Sequence, residues 1–266
     1  MFKYKLLFLS LPLIGITLLF QNCGAPTAQS SKTNSSSALD IIAEPDAPTN
    51  ISSPEADNND SLAFKAGDEI TLSNIPTTRA YLLEEFNAYK ADNGFKAIAL
   101  TLDGYGFMMF QRSGSILQST SQEEANRRAL EACQFTSNNR PCSLFAEGNL
   151  VKYDENRFLT GMKRAIDLNL TQYKPNLVPL ITDAIRDNQL KNYNNGTTQK
   201  ALALSITGGG GYRFGDASKS GARTKAVNNC ESQPNNDVCF LYAVNGEIVL
   251  TEQALKNYFD TYVKEQ

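Results

Sequence analysis

The strongest constraint on what this chain can fold into is an internal duplication. From Lys96 the sequence reads KAIALTLDGYGFMMFQ, then SQEEANRRALEAC, eight residues, and CSLFAEGNLV. From Lys200 it reads KALALSITGGGGYRFG, then SKSGARTKAVNNC, eight residues, and CFLYAVNGEIV. Lys96-Ala97-Ile98-Ala99-Leu100 matches Lys200-Ala201-Leu202-Ala203-Leu204. Ser121, Ala125, Ala129 and Cys133 match Ser218, Ala222, Ala226 and Cys230, and Cys142 matches Cys239. The fold must be one that the same pattern can build twice.

Each copy has a readable local structure. The short apolar run after the lysine predicts a strand. Asp103-Gly104 in the first copy, and the run of glycines at 208–211 in the second, predict a hairpin turn into an aromatic strand. The glycine run lacks the spacing of a phosphate-binding loop. Ser121 followed by Glu124 is a capping box and starts a helix. Ala125, Ala129 and Cys133 fall on one face of that helix, and small side chains there let it lie close on a sheet. The helix ends at the first cysteine, a polar loop leads to the second, and a last strand follows. A further helix precedes each copy, at residues 78–90 and 176–193, and residues 251–265 read as a closing helix. The expected fold class is α+β: two tandem ββαβ-like, disulfide-stapled modules with helical connectors. The first module spans residues 67–154, the connector 155–198 and the second module 199–266.

The cysteines at 133 and 142, and at 230 and 239, could be disulfides, metal ligands or redox pairs. The eight-residue gap is unlike the short CxxC of redox and zinc sites. Structural disulfides Cys133–Cys142 and Cys230–Cys239 are the expectation, and each would stabilise its module by roughly 2–3 kcal/mol. No metal or cofactor site is expected.

The chain has no histidine. That removes Ser-His-Asp and Cys-His catalysis and the common histidine zinc sites. Any enzymatic reading has to rest on carboxylates, tyrosine or lysine. The carboxylates Asp103, Glu123, Glu124, Asp154, Glu155, Asp167, Asp183 and Asp187 are scattered, with no facing pair of the kind glycoside hydrolysis needs. The densest basic spots, Arg127-Arg128 and Lys163-Arg164, read as solvated helix faces. With a formal net charge of −3, nucleic acid is not an expected partner. Aromatic side chains on the second strand of each copy are the binding candidates: Tyr105 and Phe107 in the first, Tyr212 with Arg213 in the second. Outward rings there could stack on sugars or peptides, whereas inward ones are ordinary core.

The N-terminus gives a location. Lys3 and Lys5 precede an apolar run over residues 6–20, broken by Pro12 and Gly15, and Cys23-Gly24 follows. The run is shorter than the roughly 20 residues that span a bilayer. Basic residues followed by a short apolar stretch are the layout of a secretory signal peptide over residues 1–22. A cysteine at the cleavage point resembles the bacterial lipoprotein pattern, in which the signal is cut before the cysteine and its thiol is lipidated. Asn22 and Gln21 depart from that pattern, which favours small residues just before the cysteine. Cys23 is also the odd one among five cysteines, which lipidation explains. Loss of Lys3 and Lys5 takes the net charge from −3 to −5. Residues 23–66 are rich in Ser, Thr, Asn, Asp, Pro and Ala and read as a lipidated Cys23 and flexible tether, with an r.m.s. reach of ~35–40 Å.

The repeats resemble, more weakly, a class of uncharacterised exported bacterial domains with an Ala-rich strand, an alanine helix ending in Cys, and a second Cys before an apolar strand. That resemblance covers residues 96–151 and 200–249 and implies a disulfide-stapled α+β module. Together the readings suggest an exported protein, lipid-anchored in the bacterial cell envelope at the outer membrane. It would be a non-enzymatic binding or structural module for an envelope protein or glycan. The alternative is a carboxylate-dependent hydrolase acting on cell-wall or surface glycans.

Overall fold

A computed structural model describes residues 64–111, 117–197, 199–233 and 238–264. The expected signal peptide, Cys23 and nearly all of the expected tether lie outside the described residues. The first half runs α1 (Ala80–Ala91), β1 (Ala97–Leu100), β2 (Gly106–Met109), α2 (Gln122–Thr136), β3 (Ser143–Glu147), β4 (Leu150–Val151) and α3 (Glu155–Thr160). The second repeats the order as α4 (Asp183–Asn195), β5 (Ala201–Ser205), β6 (Gly210–Arg213), α5 (Lys219–Glu231), β7 (Cys239–Val244), β8 (Glu247–Ile248) and α6 (Glu252–Tyr262). The sheets are antiparallel, with orders β2-β1-β3-β4 and β6-β5-β7-β8.

The duplication extends to irregularities. The β1/β3 register slips between Ile98 and Ala99, and the β5/β7 register slips between Leu202 and Ala203, the matching positions. Ser121 and Ser218 cap α2 and α5 by accepting from the amides of Glu124 and Gly221. Lys96 Nζ donates to the carbonyls of Tyr89, Lys90 and Asp92 at the end of α1 and lies 4.9 Å from the Tyr89 ring centre. Lys200 repeats this on Tyr193 and Asn194 at the end of α4, 4.8 Å from the Tyr193 ring. Each lysine neutralises carbonyls left over at a helix C-terminus, so the repeated unit includes the preceding helix. The disulfides Cys133–Cys142 and Cys230–Cys239 form as expected, with Cα–Cα separations of 6.3 and 6.1 Å.

The packing is less symmetric than the sequence. One face of sheet one, with Ile98, Leu100, Met108 and Phe110, packs under Leu82, Phe86 and Tyr89 of α1. Phe64 belongs to this core: it is 4% exposed and meets Phe145 and Phe158 edge-on at 5.1 and 5.7 Å. Ordered packing thus includes a residue within the stretch read as tether. The other face of sheet one, with Ala97, Ala99 and Phe107, shares one core with α2 and with Leu202, Leu204 and Tyr242 of sheet two. Phe135 of α2 stacks on Phe240 of β7 at 4.2 Å. The opposite face of sheet two packs on Ala222, Ala226 and Cys230 of α5. Gly211 lets α5 come close, since a Cβ there would lie 2.3 Å from the Cys230 nitrogen. Its counterpart Phe107 fills the wider space beside α2. Eleven of the 15 residues of α2 are buried, against three in α5. The two modules share a core, and all described residues lie in one compact unit, Asp57–Gln266.

A charged seam and the pocket beside it

The inner position of α2 buries Glu124, Arg128 and Glu131, and with the partly exposed Arg127 they form a network. Arg128 was expected on a solvated face. It is 0% exposed. Its Nε donates to the Leu180 carbonyl (2.8 Å), Nη1 to the Leu117 carbonyl (2.8 Å) and Ser119 Oγ (2.9 Å), and Nη2 to the Thr207 carbonyl (2.9 Å). One guanidinium therefore ties the loop before α2, the connector and the β5–β6 turn of the second module. A planar five-donor fork can do this and an ammonium cannot. Gly208, at φ +96°, makes room: a Cβ there would lie 2.2 Å from Arg128 Nη2. Burial pushes the Arg128 pKa down to about 10, against the pull of Glu124, so it stays cationic at neutral pH.

The carboxylates beside it are fully engaged. Glu124 Oε2 accepts from the amide and hydroxyl of Thr120, at 3.0 and 2.7 Å, and its Oε1 accepts from the Asp183 amide at 3.3 Å. The expected capping residue thus also caps α4. Glu131 accepts from Arg127 Nη1 at 3.2 and 2.9 Å and from the Leu180 amide at 2.6 Å. Leu180, at φ +70°, is held in this sparsely populated conformation by Glu131 on its N–H and Arg128 on its carbonyl. Arg127 Nη2 donates to the Ile181 carbonyl (2.9 Å) and Asp183 (3.2 Å). Arg186 donates to Asp183 and to the Val178 carbonyl.

Against this network lies a pocket of about 290 Å³. α2 contributes Arg127 and Glu131, α4 contributes Arg186, and β7 contributes Tyr242. The connector and the β8 end supply Ile166, Leu168, Leu177, Val178, Ile248 and Leu250. An apolar cavity with a few convergent polar groups and a perturbed carboxyl is the usual form of a small-ligand site. Burial pushes the Glu131 carboxyl up from its ordinary value, with Arg127 and the Leu180 amide opposing. Burial takes the Tyr242 phenol to about 12. With both oxygens already accepting, Glu131 is held as an acceptor rather than poised to hand over a proton. A second cleft of about 360 Å³, with Tyr81, Tyr258 and Tyr262 among its walls, lies between α1, β2 and α6.

The aromatic candidates are not brought together. Tyr105 is 7% exposed, edge-on to Phe259 at 5.0 Å, with the Arg79 guanidinium 3.7 Å from its ring centre. Phe107 is 6% exposed in the shared core. Both are corrected from binding candidates to packing residues. Tyr212 is half-buried; its hydroxyl accepts from Asn192, and its ring is parallel to that of Phe214 at 6.1 Å. Arg213 is exposed, with Nε 3.4 Å from Asp216. The edge strands are guarded alike: Thr136 and Gln233, three residues past each first cysteine, donate to the carbonyls of Gly106 and Gly210. Arg128, Glu131 and Arg186 were missed as a group. The available signal was the mismatch between copies: Glu124, Arg127, Arg128 and Glu131 align with Gly221, Thr224, Lys225 and Asn228.

Comparison with known protein families, with curated proteins and with solved structures found no match to this chain.

Proposed function

We propose that this chain is an exported, lipid-anchored envelope protein whose folded region is a non-enzymatic binding module, with the seam pocket as its binding site. The observation that carries the binding reading is the state of Glu131. It lines the pocket, yet both its oxygens are committed to Arg127 and Leu180. A residue so engaged shapes and polarises a pocket; a general acid has to give its proton to a substrate. Export is supported by the signal-like residues 1–22 and by two disulfides, which persist in oxidising compartments. The pairing leaves Cys23 as the cysteine available for lipidation. Gly24-Ala25 carry no acidic residue, which under the lipoprotein pattern favours the outer membrane.

Two measurements test the two halves. Detergent phase partitioning of the full chain expressed in a bacterial host should place it in the detergent phase, and Cys23→Ala should move it to the aqueous phase. Identical partitioning would remove the anchor. For the binding half, purified cell wall is incubated with the protein and analysed for released sugars. The hydrolase reading rests on the raised pKa of Glu131 in an apolar pocket, an environment that general acids share. Release of sugar that disappears in Glu131→Gln would replace the binding reading with it.

A further inference from the structure

Each sheet ends in two outer strands, and an outer strand left open is a template for another chain. Three of these edges are covered. Outside β4, Glu69 bridges to Leu150, and the Ile70 amide donates to the Asn149 carbonyl. Outside β8, Gln172 bridges to Glu247, and the Ile248 amide donates to the Thr171 carbonyl. On β2, the Gly106 amide donates to Tyr81 Oη at 3.2 Å, the Gly106 carbonyl accepts from Thr136, and Met108 is 0% exposed.

The edge of β6 is different. The Gly210 carbonyl accepts from Gln233 Nε2 at 2.7 Å, and the Tyr212 carbonyl accepts from Asn229 Nδ2 at 3.1 Å. Both carbonyls therefore point away from β5, and in an antiparallel ladder a residue's N–H points the same way as its carbonyl. The outward amides of Gly210 and Tyr212 have no hydrogen-bond partner among the described residues. Tyr81, which meets the Gly106 amide, corresponds to Ile185 at the spacing that relates Lys96 to Lys200, and isoleucine has no hydroxyl. Along this edge runs an open groove of about 460 Å³, with Tyr212, Arg213, Phe214, Asn229 and Gln233 in its lining. Tyr212 is half-buried and Arg213 and Phe214 are exposed. Lys225 lies one turn before Asn229 on the same face of α5. Arg213 and Lys225 share the single carboxylate of Asp216, at 3.4 and 2.7 Å, so one positive charge is left over beside the groove. Lys219 and Arg223 add exposed cations to α5, whose one acid is Glu231.

We propose that β6 takes an extended acidic peptide segment of a partner protein as a further strand of sheet two. Main-chain bonds to Gly210 and Tyr212 hold it, and its N–H groups replace the Gln233 and Asn229 carboxamides on the edge carbonyls. The two faces of β6 set the partner's pattern: Gly211 and Arg213 lie on the α5 side, Tyr212 and Phe214 on the other. Acidic residues facing Arg213 and Lys225 thus alternate with apolar residues facing the Tyr212–Phe214 rings. A second copy on this edge would instead bring two such cation clusters together, which like charges oppose.

The test is fluorescence anisotropy of a dye-tagged, end-capped peptide of alternating Glu and Val, titrated with the full chain in neutral detergent. A Lys–Val counterpart and a backbone N-methylated Glu–Val peptide are the controls. The Glu–Val peptide is expected to bind about tenfold more tightly than either. Arg213→Glu, at an exposed position, should weaken that binding about fivefold or more with the melting temperature retained. Equal binding of the N-methylated peptide would overturn strand addition, and equal binding of the Lys–Val peptide would overturn the acidic partner. Absence of binding would overturn the inference as a whole. A dimer of the peptide-free chain in sedimentation would then assign the edge to a second copy. Binding gained on deleting residues 24–56, with their four acids, would assign it to the chain's own N-terminal segment. The seam pocket shares no lining residue with this edge, so none of these results bears on it.

Discussion

Replacing Arg128 by methionine is the sharpest perturbation of this fold. The side chain keeps its apolar stem and loses the guanidinium that donates to Leu117, Ser119, Leu180 and Thr207 and faces Glu124 at 3.9 Å. Removing one partner of a buried charge pair costs about 3–5 kcal/mol, chiefly because the remaining charge stays buried. That is a large part of the ~5–15 kcal/mol that holds a typical domain together. Arg128→Lys keeps the charge but cannot span four acceptors, so a loss of ~1–3 kcal/mol is expected. The second copy already has a lysine, Lys225, at this position, where it is exposed and pairs with Asp216. Lys225→Met should therefore cost under ~1 kcal/mol. A cycle sharpens the test. Gly208→Ala alone drives a Cβ to 2.2 Å from Arg128 Nη2 and places it at φ +96°. Combined with Arg128→Met the guanidinium contact is gone and the backbone penalty and a 2.9 Å contact with the Leu180 carbonyl are left, so the pair should be less damaging than the sum by more than ~0.5 kcal/mol. Urea unfolding followed by far-ultraviolet circular dichroism, with disulfides intact, measures all of these. Arg128→Met within ~1 kcal/mol of wild type, or a strictly additive pair, would refute the seam argument.

Phe64→Ala should destabilise by ~3–4 kcal/mol in the same assay, because its ring is packed against Phe145 and Phe158; a neutral result would place the start of the packed region later. Cys133→Ala with Cys142→Ala, and separately Cys230→Ala with Cys239→Ala, should each cost roughly 2–3 kcal/mol, since the two bonds close loops of equal sequence separation; unequal losses in urea titration would show that the neighbouring packing, not the loop, sets the effect. Tyr81 and Tyr242 are both raised from 10.0 to about 12, chiefly by burial, so the folded state favours their protonated forms. That contribution is fully present below pH 10 and is lost as pH rises through about 12; for Tyr242 it amounts to on the order of 2–3 kcal/mol. Tyrosinate absorbance should rise together with loss of ellipticity in this window, and ionisation complete near pH 10 in the folded protein would contradict it.

Much of the local structure was legible in the sequence because its causes lie within a few residues. Ser121 and Ser218 start helices through their own third-neighbour amides. The alanine spacing puts one small face on a sheet. Cys133 and Cys142 are nearby along the chain, as are Cys230 and Cys239, and each pair closes across one loop. The two antiparallel sheets, with their matching slips, follow from repeating one such pattern.

The candidate site was not legible, because its cause is the placement of one copy against the other. Nothing near Arg127-Arg128 in the chain distinguishes a solvated helix face from one covered by a second sheet. α2 lies inside because sheet two and the connector close over it, whereas the matching α5 remains at the surface and leaves Lys225 in solvent. The same difference puts Phe107 in a core where its counterpart Gly211 lies against a helix backbone. The sequence by itself determined two like modules, their caps and their disulfides. The tertiary structure decided which helix is central, because burial depends on what arrives from far along the chain, and with it which arginine must be hydrogen-bonded on every side.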